Sequence, residues 1–183
     1  MISKWDTVSS SEPINLKIFK AVWHTRRNPN SESESDFITL QSQPWVNIIP
    51  ITKEGNIVLI KQYRHGVDDI TIEIPGGLVE NSEKPISAAQ RECIEETGYI
   101  GDGVAELIGE TQPNPAFLDN ICYHFVWRNC SKQIKQKLDE HEDIAVFEVP
   151  IWEIKKMILI KEIKHSLVLD AFFFYHLKNG KIF

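Results

Sequence analysis

The sequence lacks several features that would place the protein in a specialised class. Cys93, Cys122 and Cys130 are odd in number and form no CxxC pair, which argues against structural zinc and favours a reducing compartment. No GxxxxGK[ST] motif occurs, so a P-loop nucleotide enzyme is excluded. The longest apolar run, residues 167–177, is too short to span a bilayer.

The chain also lacks net positive charge and an N-terminal apolar segment. Its 20 lysines and arginines stand against 26 aspartates and glutamates, which gives a formal charge of −6. Such a surface does not favour broad contact with nucleic-acid phosphates, so a phosphate-bearing substrate would need a divalent cation or a few local arginines. Because no secretory signal is visible, we expect a cytoplasmic protein with neither a nucleic-acid nor a membrane partner.

What is present is an ordinary globular composition, with 42% apolar and 25% charged residues. The first sixteen residues are polar and are expected to be irregular. Strands are predicted at 16–25, 37–41, 45–52, 56–63, 71–74, 105–110, 121–128 and 145–150, and the last two helices at 151–160 and 166–179. Strands and helices alternate irregularly, which predicts an α+β sandwich with a mixed sheet.

The most distinctive stretch is an acidic helix between Pro85, in its first turn, and Gly98, at its C-terminal cap. Glu92, Glu95 and Glu96 are spaced i, i+3 and i+4 and therefore share one face. Carboxylates so close together repel one another, and a hard cation such as Mg²⁺ would relieve that repulsion. From composition alone, a solvated acidic face is the alternative.

The wider spacing around this helix decides between the two interpretations. From Gly77 onward, the sequence matches the Nudix box, GX5EX7REUXEEXGU, at every fixed polar and glycine position. Two positions that are usually aliphatic hold Cys93 and Tyr99, and these departures concern packing. The chain therefore resembles the Nudix hydrolases.

The resemblance implies a loop–helix–loop cradle for a metal-bound pyrophosphate, with Mg²⁺ as cofactor and Mn²⁺ as a substitute. The implied metal ligands are the Gly76 carbonyl, Glu92, Glu96 and Glu142, and the implied catalytic residues are Glu140, Glu142 and Glu95. The box residues with an implied structural role are Gly77, Glu83, Arg91 and Gly98. Either Glu140 or Glu142 would act as the base, within a run of charges that is otherwise typical of a solvated loop.

Residues outside the box resemble the branch that hydrolyses ADP-ribose and nucleoside diphosphate sugars. The implied substrate-binding residues are Arg64, Trp45, Tyr63, Glu73, Pro115 and Phe117. Arg64 would clamp a phosphate or ribose, and its alternative is a surface salt bridge with Asp68 or Asp69. Trp45 and Tyr63 are alternatively core or edge residues of strands, and Pro115 is alternatively part of an ordinary rigid turn.

The predicted function is metal-dependent hydrolysis of ADP-ribose or a related nucleoside diphosphate sugar to a nucleoside monophosphate and a sugar phosphate. The alternatives are a Nudix hydrolase of nucleoside triphosphates or dinucleoside polyphosphates, and a non-catalytic nucleotide-sugar-binding Nudix module. The implied fold is a Nudix-type α/β/α sandwich with a central mixed β-sheet and an N-terminal antiparallel strand extension. The extension, 1–43, would contribute to a homodimer, and 44–183 would form the Nudix domain.

Overall fold

The computed structural model describes residues 2–180. These residues form two compact units, one made of 2–43 with 112–121 and the other of 44–111 with 122–180. Within this range, no helix is both long enough and apolar enough to cross a membrane.

The first unit contains a four-stranded antiparallel sheet. Its strands are β1 (Asp6–Ser10), β2 (Ile14–Asn15), β3 (Lys20–Arg27) and β4 (Glu34–Gln41). The strand β3 pairs with each of the other three. The predicted N-terminal antiparallel strand extension is therefore confirmed as part of the fold.

Three details of this unit differ from the prediction. The strand predicted at 37–41 begins earlier, at Glu34. The strand predicted from residue 16 begins only at Lys20, because Lys17 adopts a left-handed φ of 69° and its N–H donates to Asn15 Oδ1 at 2.9 Å in a tight turn. Within the described part of the first sixteen residues, Asp6–Ser10 is not irregular, since it forms β1, which pairs with β3 although all of its side chains are exposed. Main-chain pairing needs no apolar side chain, so the hydrophobic pattern could not reveal β1.

The second unit is built on an eight-stranded mixed sheet. Its strands are β5 (Trp45–Thr52), β6 (Asn56–Arg64), β7 (Asp69–Glu73), β8 (Gly76–Leu78), β9 (Tyr99–Ile100), β10 (Glu106–Thr111), β11 (Cys122–Lys132) and β12 (Ile144–Pro150). The order β10-β11-β5-β6-β12 forms its centre, with β5 and β11 parallel and the other pairs of this centre antiparallel. Gly55, at a φ of 83°, closes the predicted hairpin turn between β5 and β6.

Helices cover both faces of this sheet. They are α1 (Pro85–Thr97), α2 (Ile154–Leu159) and α3 (Ser166–Asn179). Because side chains alternate along a strand, Ile48 and Ile49 of β5 point to opposite faces. Ile48 packs in a core with Cys93 of α1, whereas Ile49 packs in a second core with Ile154 of α2 and Phe172 of α3. The predicted α/β/α sandwich is confirmed.

The ends of α1 follow from its sequence. Pro85 occupies the first turn, and Gly98 ends the helix at a left-handed φ of 76°, with its N–H donating to Ile94 O at 2.8 Å. A Cβ at Gly98 would lie 2.2 Å from Ile134 O, so the loop after β11 passes directly against this end of the helix.

The two residues that differ from the usual aliphatic residues of the Nudix box contribute to packing. Cys93 is fully buried against the sheet, and Tyr99 is 8% exposed. The Tyr99 hydroxyl donates to Glu148 Oε1 on β12 at 2.7 Å, so the polar atom of this large side chain is satisfied. The helix predicted at 151–160 is observed as a 3-10 turn, Ile151–Glu153, followed directly by α2, which ends at Leu159.

Candidate active site

Two adjacent glycines bring the backbone before α1 into contact with the carboxylates of that helix. A Cβ on Gly76 would lie 2.2 Å from Val46 O, and a Cβ on Gly77 would lie 2.3 Å from Glu92 Oε1. The Gly76 N–H donates to Glu96 Oε2 at 2.9 Å. Any larger residue at either position would force its neighbours to move, so the approach depends on glycine.

The acidic face of α1 is largely withdrawn from solvent. Glu96 is 3% exposed, and the side chains of Glu92 and Glu95 are 14% and 33% exposed. Burial raises the pKa of Glu96 well above its usual value, and repulsion from Glu92 and Glu142 acts in the same direction. Burial also raises the pKa of Glu92, in spite of the neighbouring Arg91. The site therefore concentrates negative charge where water stabilises it poorly.

Arg91 joins the loop to the helix. Its guanidinium donates to both oxygens of Glu83 at 3.1 Å, to Glu92 Oε1 at 2.9 Å and to Glu95 Oε2 at 3.0 Å. A further bond, of 3.0 Å, reaches Leu78 O. The hydrogen bonds from Arg91 lower the pKa of Glu83, so this pair is ionised at neutral pH. These bonds tie the loop after Gly77 to α1, and the structural role of Glu83 and Arg91 that the resemblance implies stays a prediction.

The acidic loop before β12 carries the two candidate bases. Glu142 and Asp139 close a turn, in which the Glu142 N–H donates to Asp139 O and the Asp139 N–H donates to Glu142 Oε2, both at 3.0 Å. Glu142 lines the same cavity as the α1 carboxylates. Glu140 is exposed and does not line that cavity.

Together these residues enclose a cavity of about 310 Å³ with an acidic lining. Its carboxylates are Glu80, Glu92, Glu95, Glu96, Asp139 and Glu142, and its cations are Arg64, Arg91 and Lys137. With every group ionised, six negative and three positive charges leave three net negative charges. A cavity of this charge attracts cations and repels an unaccompanied phosphate.

The donor set suits a hard divalent cation, although the side chains do not form a finished metal site. Within residues 2–180, no three histidine, cysteine, aspartate or glutamate side chains are grouped closely enough to hold a metal ion. Glu92 faces Arg91 and Glu96 faces the Gly76 N–H instead. The donors are nevertheless all oxygens, and the two carboxylates with raised pKa would gain most from a nearby cation.

A larger pocket, of about 790 Å³, opens beside the acidic cavity and shares lining residues with it. The shared residues are Arg64, Gly76, Gly77 and Leu78. The larger pocket is also lined by Trp45 and Glu73, both predicted to bind substrate. Its size is typical of pockets for nucleotide-sized ligands. The two spaces together would accommodate a ligand with an anionic centre and a bulky end group.

Arg64 is held at the junction of the two spaces by Glu73. Its Nε donates to Glu73 Oε1 at 2.8 Å and its Nη2 donates to Oε2 at 2.6 Å. Burial alone would raise the pKa of Glu73, but the bonds from Arg64 outweigh burial and the pKa is lowered. The alternative salt bridge of Arg64 with Asp68 or Asp69 is wrong, because the buried carboxylate of Glu73 takes the guanidinium.

The remaining predicted substrate residues are divided between the two units. Tyr63 is 46% exposed, lines neither space, and donates its hydroxyl to Asp68. Pro115 and Phe117 belong to the first unit, where the segment 112–121 lies. There the Phe117 carbonyl accepts a hydrogen bond of 2.7 Å from the Leu40 N–H of β4.

Several lining residues were not predicted from the sequence. They are Gln62, Asn47, Lys137, Lys164 and His165. Asn47 had a usable signal, since it is the one amide side chain in the apolar strand β5, and its Nδ2 donates to Leu167 O of α3 at 2.8 Å. Lys164 and His165 directly precede α3, and Lys137 shortly precedes the acidic loop. Charged residues are common in such loops, so the sequence provides no reason to assign these three residues to the site.

The sequence of this site matches a described family over most of the chain. The NUDIX domain matches residues 41–170, which include the glycine loop, α1 and the acidic loop. The chain belongs to the Nudix family. The prediction of a Nudix pyrophosphohydrolase is thereby confirmed at the level of the enzyme class.

The chain is also similar to two proteins from Bacillus species and to one solved structure. The chain is 31% identical over 136 residues to an ADP-ribose pyrophosphatase of Bacillus subtilis strain 168, covering 74% of this chain and 73% of the relative. It is 34% identical over 136 residues to a methanol dehydrogenase activator of Bacillus methanolicus, with the same coverage of 74% and 73%. The crystal structure of an ADP compounds hydrolase superposes with a TM-score of 0.85 at 17% identity, covering 100% of this chain and 99% of that one, which supports the fold.

Proposed function

We propose that this chain hydrolyses the pyrophosphate bond of ADP-ribose or a related nucleoside diphosphate sugar, with Mg²⁺ or Mn²⁺ as cofactor. The observation that carries the proposal is the junction of the acidic cavity with the larger pocket at Arg64, Gly76 and Gly77. A diphosphate at this junction would meet the guanidinium of Arg64, and a sugar or nucleoside would extend into the larger pocket.

The residues that would hold the metal are Glu92, Glu96, Glu142 and the Gly76 carbonyl. When bound, a divalent cation neutralises diphosphate charge and lowers the pKa of an attacking water. Gly77 keeps Glu92 against the loop, and Arg91 fixes the Glu92 and Glu95 side chains from the other side. These contacts hold the Glu92 and Glu95 side chains at the cavity, and metal binding would still have to draw the carboxylates together.

In the proposed reaction, a water oxygen attacks one phosphorus, the P–O bond to the bridging oxygen breaks, and a carboxylate takes the water proton. Glu142 is the better placed of the two candidate bases, because it lines the acidic cavity and Glu140 does not. Glu95 also lines the cavity, but Arg91 occupies one of its oxygens at 3.0 Å. For ADP-ribose, the products would be AMP and ribose 5-phosphate.

The relatives support this substrate class over nucleoside triphosphates. Beside the Bacillus subtilis enzyme, an ADP-ribose pyrophosphatase of Saccharomyces cerevisiae is 36% identical over 107 residues, covering 54% of this chain and 45% of that relative. The larger pocket, at about 790 Å³, also has room for a bulky group beside the diphosphate, such as the nucleoside or the sugar of a nucleoside diphosphate sugar.

A substrate panel with Mg²⁺ tests the proposal. The panel holds ADP-ribose, ADP-glucose, GDP-mannose, ATP and diadenosine tetraphosphate, and the release of nucleoside monophosphate is quantified by chromatography. We expect the highest kcat/KM for a nucleoside diphosphate sugar and at least roughly tenfold less for ATP, because ATP carries a bulky group on only one side of its phosphates and so makes fewer contacts. Preference for ATP or the dinucleotide would favour the triphosphate alternative, and binding without turnover would favour the non-catalytic module.

We also propose that the strand extension 1–43 contributes to a homodimer and that 44–183 is the Nudix domain. Trp23 and Ile38 are cross-strand neighbours on β3 and β4, and they are 47% and 37% exposed. Adjacent exposed apolar side chains of this kind are typical of interaction surfaces. The cytoplasmic location stays a prediction.

A further inference from the structure

We propose that Lys137 binds a non-bridging phosphate oxygen of the substrate in the acidic cavity, an assignment that rests on the proposed function. Three cationic side chains line this cavity, namely Arg64, Arg91 and Lys137. They differ in the number of carboxylates with which they already form ion pairs, and this difference distinguishes Lys137 from the two arginines.

Both arginines are engaged within the protein. Arg64 makes a two-bond pair with Glu73, whose side chain is 3% exposed and would be left as an uncompensated buried charge without it. The Arg91 guanidinium forms ion pairs with Glu83, Glu92 and Glu95. Neither guanidinium is therefore available to turn its full donor set towards a ligand.

Lys137 is exposed and uncommitted. Across residues 2–180, no carboxylate lies within 4.0 Å of its ammonium group, although six carboxylates line the same cavity. An ammonium group near so much negative charge, yet paired with none of it, keeps its three N–H donors for a ligand. Charge-assisted hydrogen bonds to phosphate oxygens are among the strong bonds that such a group forms.

The backbone of Lys137 is nevertheless fixed beside the metal-site carboxylates. Its N–H donates to Glu95 O at 2.8 Å. The preceding residue, Gln136, donates its side-chain amide to Glu96 O at 2.7 Å and to Ile144 O at 3.0 Å. These bonds join the loop to the C-terminal end of α1 and to the start of β12. The backbone of Lys137 is therefore held in place, whereas its long side chain can adjust to a ligand.

A purely structural role would also explain a lysine at this position. The last turn of α1 contains no basic residue, and a cation near a helix C-terminus stabilises the helix dipole. That role predicts a lower melting temperature on removal of the charge, with no change in substrate affinity. Phosphate binding predicts the opposite pattern.

The test compares Lys137→Gln and Lys137→Arg with Lys135→Gln, a matched control in the same loop that does not line the cavity. Steady-state kinetics with ADP-ribose and Mg²⁺ give kcat and KM. Calorimetry with the non-hydrolysable α,β-methylene analogue of ADP-ribose gives Kd without turnover. Thermal melting reports on stability.

We expect Lys137→Gln to raise both KM and Kd by about tenfold, with kcat within about twofold of wild type, because the contact is present in the ground and transition states alike. Lys137→Arg retains the charge and recovers most of the affinity, and Lys135→Gln matches wild type. If Lys137→Gln behaves like Lys135→Gln, or lowers only the melting temperature, the assignment is overturned and the proposed function stands. A wild-type protein that neither cuts nor binds any nucleoside diphosphate compound overturns both.

Discussion

Replacing Glu96 with glutamine is expected to lower kcat by at least about a hundredfold. Glu96 is the most buried of the α1 carboxylates, and its pKa is raised mainly by that burial. A bound divalent cation would remove this penalty, so Glu96 contributes most to catalysis when it acts as an ionised ligand. Even residues that only support metal ligands are worth tenfold to hundredfold in activity, so a lost ligand should cost more. Steady-state kinetics with ADP-ribose and Mg²⁺ measure the loss.

The same substitution is expected to leave the protein folded. The glutamine oxygen still accepts the hydrogen bond from the Gly76 N–H, and the neutral side chain no longer repels Glu92 and Glu142. The melting temperature without metal should therefore equal or exceed that of wild type. Glu153→Gln, which lies outside both spaces of the site, serves as the control and should retain full activity. Full activity in Glu96→Gln would contradict the role of Glu96 as a metal ligand.

A methyl group at Gly77 is expected to have an effect of similar size through a different route. The added Cβ would lie 2.3 Å from Glu92 Oε1 and 2.5 Å from its carboxyl carbon. Because a glutamate side chain is flexible, the carboxylate would move aside at little cost to the fold. Gly77→Ala should therefore lower kcat by about a hundredfold with little change in melting temperature, as measured by kinetics and thermal denaturation.

A double-mutant cycle shows whether the Gly77 substitution acts through Glu92. Since both changes remove the same carboxylate from the site, Gly77→Ala combined with Glu92→Gln should lose no more activity than the stronger single variant. Independent sites would give losses that multiply. Multiplying losses would mean that Gly77 matters for a reason other than the position of Glu92.

Much of the second unit could be predicted because its local signals agree. Pro85 and Gly98 mark the ends of α1, and the structure places the helix at Pro85–Thr97 with Gly98 as its cap. The strand β5 was predicted to the residue, and so was α3. In the first unit the strand signal is weak, because β1 has no buried side chain and pairs through its backbone.

The partners of single side chains were harder to predict than the elements that carry them. Arg64 and Asp69 are cross-strand partners of the β6–β7 hairpin, so a local salt bridge was a reasonable expectation. The guanidinium instead reaches Glu73, since an unpaired carboxylate in a buried position is far less stable than an unpaired aspartate in water. Burial is a tertiary property, and the sequence around Arg64 does not contain it.

The position of Lys137 illustrates the same limit. In the sequence it is one of several lysines in the run from Lys132 to Lys137. Only the contacts of the Gln133–Lys137 segment with the end of α1 place it at the acidic cavity. Spacing within a helix can be calculated from the sequence, whereas the approach of a distant loop to that helix cannot.

In the proposed mechanism, the glutamates of α1 bind a divalent cation beside the glycine loop. Calorimetric titration of the protein with Mn²⁺, in wild type and in the Glu92→Gln, Glu96→Gln double variant, tests it without relying on turnover. We predict saturable binding by wild type and an affinity at least about a hundredfold weaker in the double variant, because two anionic oxygen ligands are lost. Equal affinities in the two proteins would contradict the account.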